Sequence, residues 1–418
     1  MPKEEAIDPD IDVALIRGLT EGRLSRRTLL RGAAAGAAAA GIGGFLAACG
    51  VSGSKGTGAG ADVDWDAFWS KQKKQGTLDW ANWPLYIDTS HGQHPSIDLF
   101  TKQTGIKVNY KPVIQDNAAF FAQIRPVLQA EQSIGYDLIV ITDGWELTQM
   151  INNRWLIPLD RGRMPNFQKY AAATVRDPSY DPGNQYTVTW QSGLTGIAYD
   201  PSKTGRPVDS VQDLFDPAFK GKVGMMSDDT ELGAVGMLAN GMDDQANSTP
   251  DDWRAAAELL KKQRDDGIVR QYYDQSYIKA LEDGDTWISQ AWSGDVFQAN
   301  HSGFPNLKFV VPKEGAMIWH DNCMIPLHAA HPVDAMEWIN FYYQPSIQAM
   351  IEDWVWYLCP VPGARQVIAN ELDDPAVAKS PLVFPPRSMQ SRFREYYTFK
   401  GVEEHDEYTS IFDPIIQS

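Results

Sequence analysis

From about residue 76 the chain alternates short apolar strand-like runs with amphipathic helical ones, and this order restricts the fold more than any other feature. "TLDWANW" (77–83) reads as a strand entering a loop, "SIDLFTKQTG" (96–105) as a helix closed by Gly105, and "IKVNY" (106–110) as a second strand. "AAFFAQIRPVLQ" (118–129) keeps helical spacing despite Pro126, and "YDLIVIT" (136–142) is a buried-type strand ending at Asp143. A β-α-β-α-β order predicts mainly parallel, doubly wound sheets with ligands near the C-terminal ends of the strands.

The character then repeats. "LTGIAYD" (194–200) is a strand, and "SVQDLFDPAFKGKVGMM" (210–226) reads as a helix, a turn at Asp216-Pro217 and another strand. "TPDDWRAAAELLKKQRDDG" (249–267) begins with a Thr cap and Pro250 and ends near Gly267. "TWISQAWSG" (286–294) and "LKFVVP" (307–312) are strand candidates, and "PVDAMEWINFYY" (332–343) is a helix stopped near Pro345. Two α/β lobes joined by crossing strands fit this pattern, and 418 residues are ample for two buried cores.

The first part of the chain reads as an address. In "LSRRTLLRGAAAGAAAAGIGGFLAACG" (24–50), Arg26, Arg27 and Arg31 precede a weakly apolar Ala/Gly run too short for a stable spanning helix. "SRRTLL" is the twin-arginine export pattern, and "LAAC" resembles a lipoprotein box with Cys49 as the lipidated residue. Residues 1–48 are therefore expected to be a signal peptide and 49–75 a lipid-bearing flexible tether, Gly/Ser-rich over 50–62. This layout predicts a folded protein anchored through its lipid to the outer face of a bacterial cell membrane.

The remaining totals exclude more than they assign. The formal charge of −17 repels nucleic acid and anionic lipid headgroups. Cys49, Cys323 and Cys359 form no C-x-x-C pair, which leaves thiolate zinc sites without support. "HGQH" (91–94) and "HAAH" (328–331) are poor metal motifs and are expected to be surface histidines. No G-x-S-x-G, P-loop or H-E-x-x-H is present, so neither a catalytic residue, a metal nor a cofactor is expected, and a secreted hydrolase is the weakest reading.

Several segments in order carry a resemblance: "NWPLY" (82–86), "LFTKQTGIKVNY" (99–110), "YDLIVIT" (136–142), "DLFDPAFKGKVGMMSDD" (213–229), "AWSGDVF" (291–297), "PKEGAMIWHDNCMIP" (312–326) and "WINFYYQP" (338–345). From about Thr77 the chain resembles the bacterial extracellular solute-binding proteins of polyamine importers, the spermidine/putrescine-binding type. The resemblance implies an α/β, two-lobed periplasmic-binding-protein fold, each lobe a mainly parallel sheet flanked by helices, joined by a hinge. Residues 76–197 would begin lobe 1 and 198–320 lobe 2, with 321–365 returning to lobe 1 and 366–418 to lobe 2. It also implies a monomeric, non-enzymatic receptor that captures putrescine or spermidine and delivers it to ABC permease subunits.

Carried over by position, Trp83 and Tyr86 form an aromatic wall, and Trp145 or Asp143 makes a contact after the third strand. Asp229 matches an acidic contact of the second lobe. The glutamate expected three residues beyond it is Leu232 here, with Glu231 one place early. Trp292 and Asp295 match an aromatic–acid pair, Trp319 and Asp321 a W-x-D segment, and Tyr357 a late aromatic contact near the hinge. Cys323 and Cys359 fall in segments the family places near the hinge, where a disulfide is an open expectation.

These residue types suit a flexible alkyl chain bearing ammonium groups. A buried ammonium needs a carboxylate, and indole and phenol faces cover methylenes and attract charge. Period-two spacing puts Trp319 and Asp321 on one side of an extended segment and turns His320 away from them. A different solute, such as γ-aminobutyrate or an opine, is the alternative. It would need a cation for its carboxylate, with Arg365 as the candidate.

Overall fold

The computed structural model describes residues 63–417 except 275, 302, 303 and 305. The signal peptide, Cys49 and the Gly/Ser-rich stretch lie outside the described residues. The tether expectation fails for residues 65–71. They form a helix, Trp65–Lys71, capped by Asp64, with Trp69 buried and its Nε1 donating to the Pro158 carbonyl at 2.9 Å. Trp65 and Phe68 pack on the same core, so this segment is docked by aromatic burial. Among the described residues no helix is long and apolar enough to cross a membrane.

Ten strands lie among the described residues: β1 (Thr77–Asn82), β2 (Lys107–Pro112), β3 (Leu138–Thr142), β4 (Thr187–Tyr199), β5 (Val223–Met226), β6 (Val269–Tyr273), β7 (Ile288–Trp292), β8 (Lys308–Val310), β9 (Ala316–Met324) and β10 (Phe393–Arg394). Their main order is β2-β1-β3-β9-β4-β7-β5-β6. At one end β2, β1 and β3 are mutually parallel, and at the other β7, β5 and β6 are. Between these triads run β9 and β4, antiparallel to each other and to their outer neighbours. The mainly parallel α/β reading therefore holds, with two antiparallel strands joining the halves.

Strand β4 begins seven residues before the strand expected at Leu194, and it is buried throughout. Its first half pairs with β9 beside β3, while its second half pairs with β7. The expected lobe divisions after 197 and after 320 thus fall inside continuous strands, β4 and β9. Chain connectivity makes these strands the crossing elements.

Each half has its own core. Trp80, Trp190 and Trp338 meet at the centre of the first, with Trp80–Trp190 centroids 5.1 Å apart. The second gathers Val223, Leu232, Trp253, Leu260 and Phe412. Helices form where local signals and an apolar face agree. Pro250–Asp265 opens with a Thr249–Asp252 capping box, and Pro95–Thr104 ends at Gly105, whose φ of 75° suits glycine. Residues 210–219 form two 3₁₀ turns rather than the expected helix, because Ser210 and Asp216 each cap a short piece. The C-terminal segment divides its packing: helix Ala364–Asn370 lies in a cluster with Ala349 of helix Pro345–Val355, whereas Phe399, Tyr408, Phe412 and Ile415 enter the second core.

Candidate functional site

Where β3, β9, β4 and β7 meet, residues of these strands and of nearby loops and helices bring carboxylates and aromatic rings together. On β9, Asp321 is 6% exposed. Its Oδ1 accepts from Thr142 Oγ1 at 2.6 Å, and its Oδ2 accepts from the Tyr86 hydroxyl. Thr142 lies directly opposite Asp321 in the β3–β9 register, which explains the first bond. Burial raises the Asp321 carboxyl to about 6, against the pull of its two hydrogen bonds.

Tyr86 stands edge-on to Tyr357, centroids 5.7 Å apart, and Tyr357 is 5.4 Å from Trp319. Both of the latter rings rest on glycine. A Cβ on Gly193 would come within 2.1 Å of the Trp319 ring, and one on Gly294 within 2.5 Å of Tyr357. Only glycine lets the two rings lie so close to the backbone at these points.

The Tyr357 hydroxyl is 3.3 Å from Asp295 Oδ1, while Tyr277 donates to Asp295 Oδ2 at 2.7 Å. Tyr277 also accepts the backbone N–H of Trp292 at 2.9 Å. The Trp292 indole donates to Glu231 Oε1 at 3.0 Å, a bond shared with Thr195 Oγ1 at 2.8 Å, and Tyr396 donates to Glu231 Oε2 at 2.7 Å. Burial raises the Glu231 carboxyl, and these three donors lower it. Tyr86, Asp321, Trp319, Tyr357, Asp295, Trp292 and Glu231 thus form one connected set.

Glu231, rather than Leu232, is the residue that meets this set. It lies on the first turn of helix Asp229–Ala239 and turns toward β4 and β7, while Leu232 is buried in the second core. Asp228 caps this helix by accepting from the Glu231 N–H at 2.9 Å, and desolvation and neighbouring carboxylates raise it to about 7. Asp229 is held by Thr409 Oγ1 at 2.8 Å and by no aromatic of the connected set.

The other expected contacts are each held by partners of their own. Trp83 packs against the first half's clusters, its indole N–H donating to the Val140 carbonyl at 3.1 Å. Asp143 exchanges bonds with the His320 backbone: Oδ1 accepts at 2.6 Å and its own N–H donates at 2.8 Å. Burial raises the Asp143 carboxyl strongly. Trp145 stacks on His405 of the C-terminal helix, centroids 4.4 Å and planes 10° apart, with Phe399 edge-on. Arg365 is on an exposed helix face and donates through Nε to the Ala378 carbonyl at 2.8 Å.

His320 is turned away from Asp321, with Nδ1 at 2.6 Å from Ser192 Oγ, and burial lowers it to about 4. It is therefore neutral near pH 7. Cys323 and Cys359 are free thiols. Cys323 is buried beside Tyr342 and Cys359 points at the Val361 carbonyl at 3.2 Å, so the bridge left open above is not formed between them. The surface assignment also fails for His331, which binds Asp137 at 2.8 Å. Asp79, Asp137 and His331 are near enough to share a metal. However, Asp137 already accepts from the Asp79 N–H and from His331, and Lys111 lies 3.9 Å from Asp79, so this is a strand clamp.

Sequence reasoning missed Thr142, Thr195, Tyr277 and Tyr396. Thr142 at the end of β3 and Thr195 within β4 lay in expected strands, but Tyr277 and Tyr396 come from segments with no distinguishing local pattern.

Comparison with known proteins gives a consistent result. The family described as "Bacterial extracellular solute-binding protein" matches residues 96–385. The putrescine-binding periplasmic protein PotF of Escherichia coli is 26% identical over 336 residues, 76% of this chain and 86% of that protein. A spermidine/putrescine-binding periplasmic protein of Salmonella typhimurium is 27% identical over 302 residues, 71% of this chain and 81% of that one. The substrate-binding protein PotD of Streptococcus pneumoniae aligns in structure with a TM-score of 0.70 at 20% identity, covering 82% of this chain and 99% of its own.

Proposed function

The chain belongs to the bacterial extracellular solute-binding proteins, non-enzymatic receptors of ABC importers, and from that premise we propose that it captures a polyamine, putrescine or spermidine, for a membrane permease. One observation carries the reading. Asp321 and Glu231 are buried, and their hydrogen-bond partners among the described residues are neutral hydroxyls and an indole. Neutral donors ease burial of a carboxylate without cancelling its charge, so a cation entering this set gains a strong, poorly screened partner. Tyr86, Tyr357, Trp319 and Trp292 supply the faces that cover methylenes and attract ammonium groups, worth about 0.5–2 kcal/mol per good contact.

The ligand sits between the two halves, the β2-β1-β3 end of the sheet on one side and the β7-β5-β6 end on the other. β4 and β9 act as the hinge. A γ-aminobutyrate-like or opine-like solute would need a cation for its carboxylate, and Arg365 is engaged on an exposed helix instead. Twin-arginine export and lipidation at Cys49 complete the proposal. Mass analysis of the membrane-extracted N-terminus tests them, and an unlipidated Cys49 overturns the anchor.

Thermal unfolding with putrescine, spermidine, γ-aminobutyrate and opines tests the ligand class, because a ligand that binds only the folded state raises its melting point. A rise with polyamines supports the proposal. A rise confined to γ-aminobutyrate or opines overturns it.

A further inference from the structure

Gln191 lies on β4 directly opposite Asp321 of β9, and Gly193 lies opposite Trp319. Opposed residues of antiparallel strands project their side chains to the same face, so Gln191 shares a face with Asp321 and Trp319. A bulge at Trp190 precedes it, where the register shifts by one residue, and bulges re-aim side chains. Gln191 is 0% exposed, yet neither Oε1 nor Nε2 has a hydrogen-bond partner among the described residues. The Trp319 Nε1 is in the same condition, and its ring lies over Gly193, two residues along β4.

A buried amide with both ends unpaired is costly, and most buried side-chain polar atoms are paired. The neighbours of this one are a carboxylate and an indole of the proposed ligand set. We propose that Gln191 is a further ligand-contacting and specificity-determining residue, its carbonyl accepting from the same ammonium group that pairs with Asp321. This inference rests on the cation-binding reading of the cleft.

The chemistry fits a primary ammonium. Such a group has three N–H donors, and one carboxylate rarely takes all of them. Asp321 already spends part of its accepting capacity on Thr142 and Tyr86. An amide oxygen beside it takes a second N–H without adding another buried charge. The amide nitrogen and the Trp319 N–H remain on the same face as donors, which disfavours a second cation there and favours one ammonium per end of the site.

Gln191→Leu keeps most of the volume and removes both polar atoms, and Gln191→Met serves as a second, unbranched variant should the first fail to fold. Calorimetric titration with putrescine and with spermidine is run beside thermal unfolding without ligand. The expected result is an affinity loss of about tenfold to a hundredfold, the range for a hydrogen bond to a charged group. The melting point without ligand stays unchanged or rises, since an unpaired amide has been removed. Unchanged affinity in a folded variant overturns the inference, as does a lowered melting point with no affinity loss, which would mark Gln191 as a core residue. If wild type binds neither polyamine, the cation reading itself fails, and the variants are not needed to see it.

Discussion

Asp321 and Glu231 are two buried carboxylates at opposite ends of one aromatic set, and they are held differently. Asp321 accepts from two neutral donors, Tyr86 and Thr142, while Glu231 accepts from three, Thr195, Trp292 and Tyr396. A carboxylate offers about four lone-pair sites. Asp321 therefore keeps more capacity for an incoming ammonium, and Glu231 is closer to a finished structural node. The lesson is that burial and a raised carboxyl do not by themselves rank two acids as ligand contacts; the unused acceptor capacity does.

The largest expected effect follows from this ranking. Asp321→Asn keeps the shape and removes the charge, and it should cost about 1.5–3 kcal/mol of polyamine binding, about tenfold to a hundredfold in affinity. Calorimetry with putrescine and spermidine measures it. Equal affinity in wild type and variant would remove Asp321 from the site and reverse the comparison.

Acidity sharpens the comparison next. With Asp321 at about 6, lowering the pH from 7 to 5 protonates it, and affinity should fall by about tenfold from this group alone. Stability without ligand should move the other way. A carboxyl raised in the folded state binds more protons there than in the unfolded chain between its ordinary value of 3.8 and about 6. Its contribution to stability therefore grows as pH falls through 6 toward 4. Asp143 and Glu231 are raised too and act in the same direction. Titrations and melting curves at several pH values test both halves, and Asp321→Asn should lose its share of each. A wild-type affinity that stays flat between pH 7 and 5 would contradict the assigned role.

Glu231→Gln should have a smaller effect. The amide keeps an acceptor for Trp292 and Thr195, and the Tyr396 hydroxyl can turn to accept from it. About 1 kcal/mol, near fivefold in affinity, is expected from losing charge at a carboxylate with little free capacity. Calorimetry on this variant beside Asp321→Asn decides the order. A greater loss for Glu231→Gln would place the main cation at the second half's end.

How much of this was legible in the sequence differs between the same two ends. The spacing of Trp319 and Asp321 is a local, period-two fact, and the strand β9 realises it directly. The Glu231 end depends on distant partners: Tyr396 is 165 residues away in the chain, and no periodic signal marks it. Five of the six strands in the parallel triads were visible as runs between helices, whereas β6 was not, because Arg270 and Gln271 leave it polar and exposed. The early half of β4 was not, because Thr187, Thr189, Gln191 and Ser192 are polar residues buried in a central strand. Asp143 and Trp145 were visible as residues after a strand, where ligands often bind. Only tertiary structure shows that one is fastened to the β9 backbone and the other to the C-terminal helix.

The smallest effect on affinity should come from the residue between Trp319 and Asp321. His320 is buried on the other face of β9, neutral near pH 7 because burial lowers it to about 4, and its Nδ1 meets Ser192 Oγ at 2.6 Å. Its tie to Asp143 runs through the backbone, which a substitution preserves. His320→Ala therefore leaves the carboxylate and both aromatic faces in place, and affinity for putrescine or spermidine should stay within about twofold. Stability should fall by about 1–3 kcal/mol, because the Ser192 hydroxyl is left buried without its partner and a ring-sized space opens. Calorimetry paired with denaturant unfolding separates the two readouts. Polyamine binding that requires a divalent metal and disappears in His320→Ala would instead make this histidine a ligand, and the two ends of the site would then differ in kind rather than in capacity.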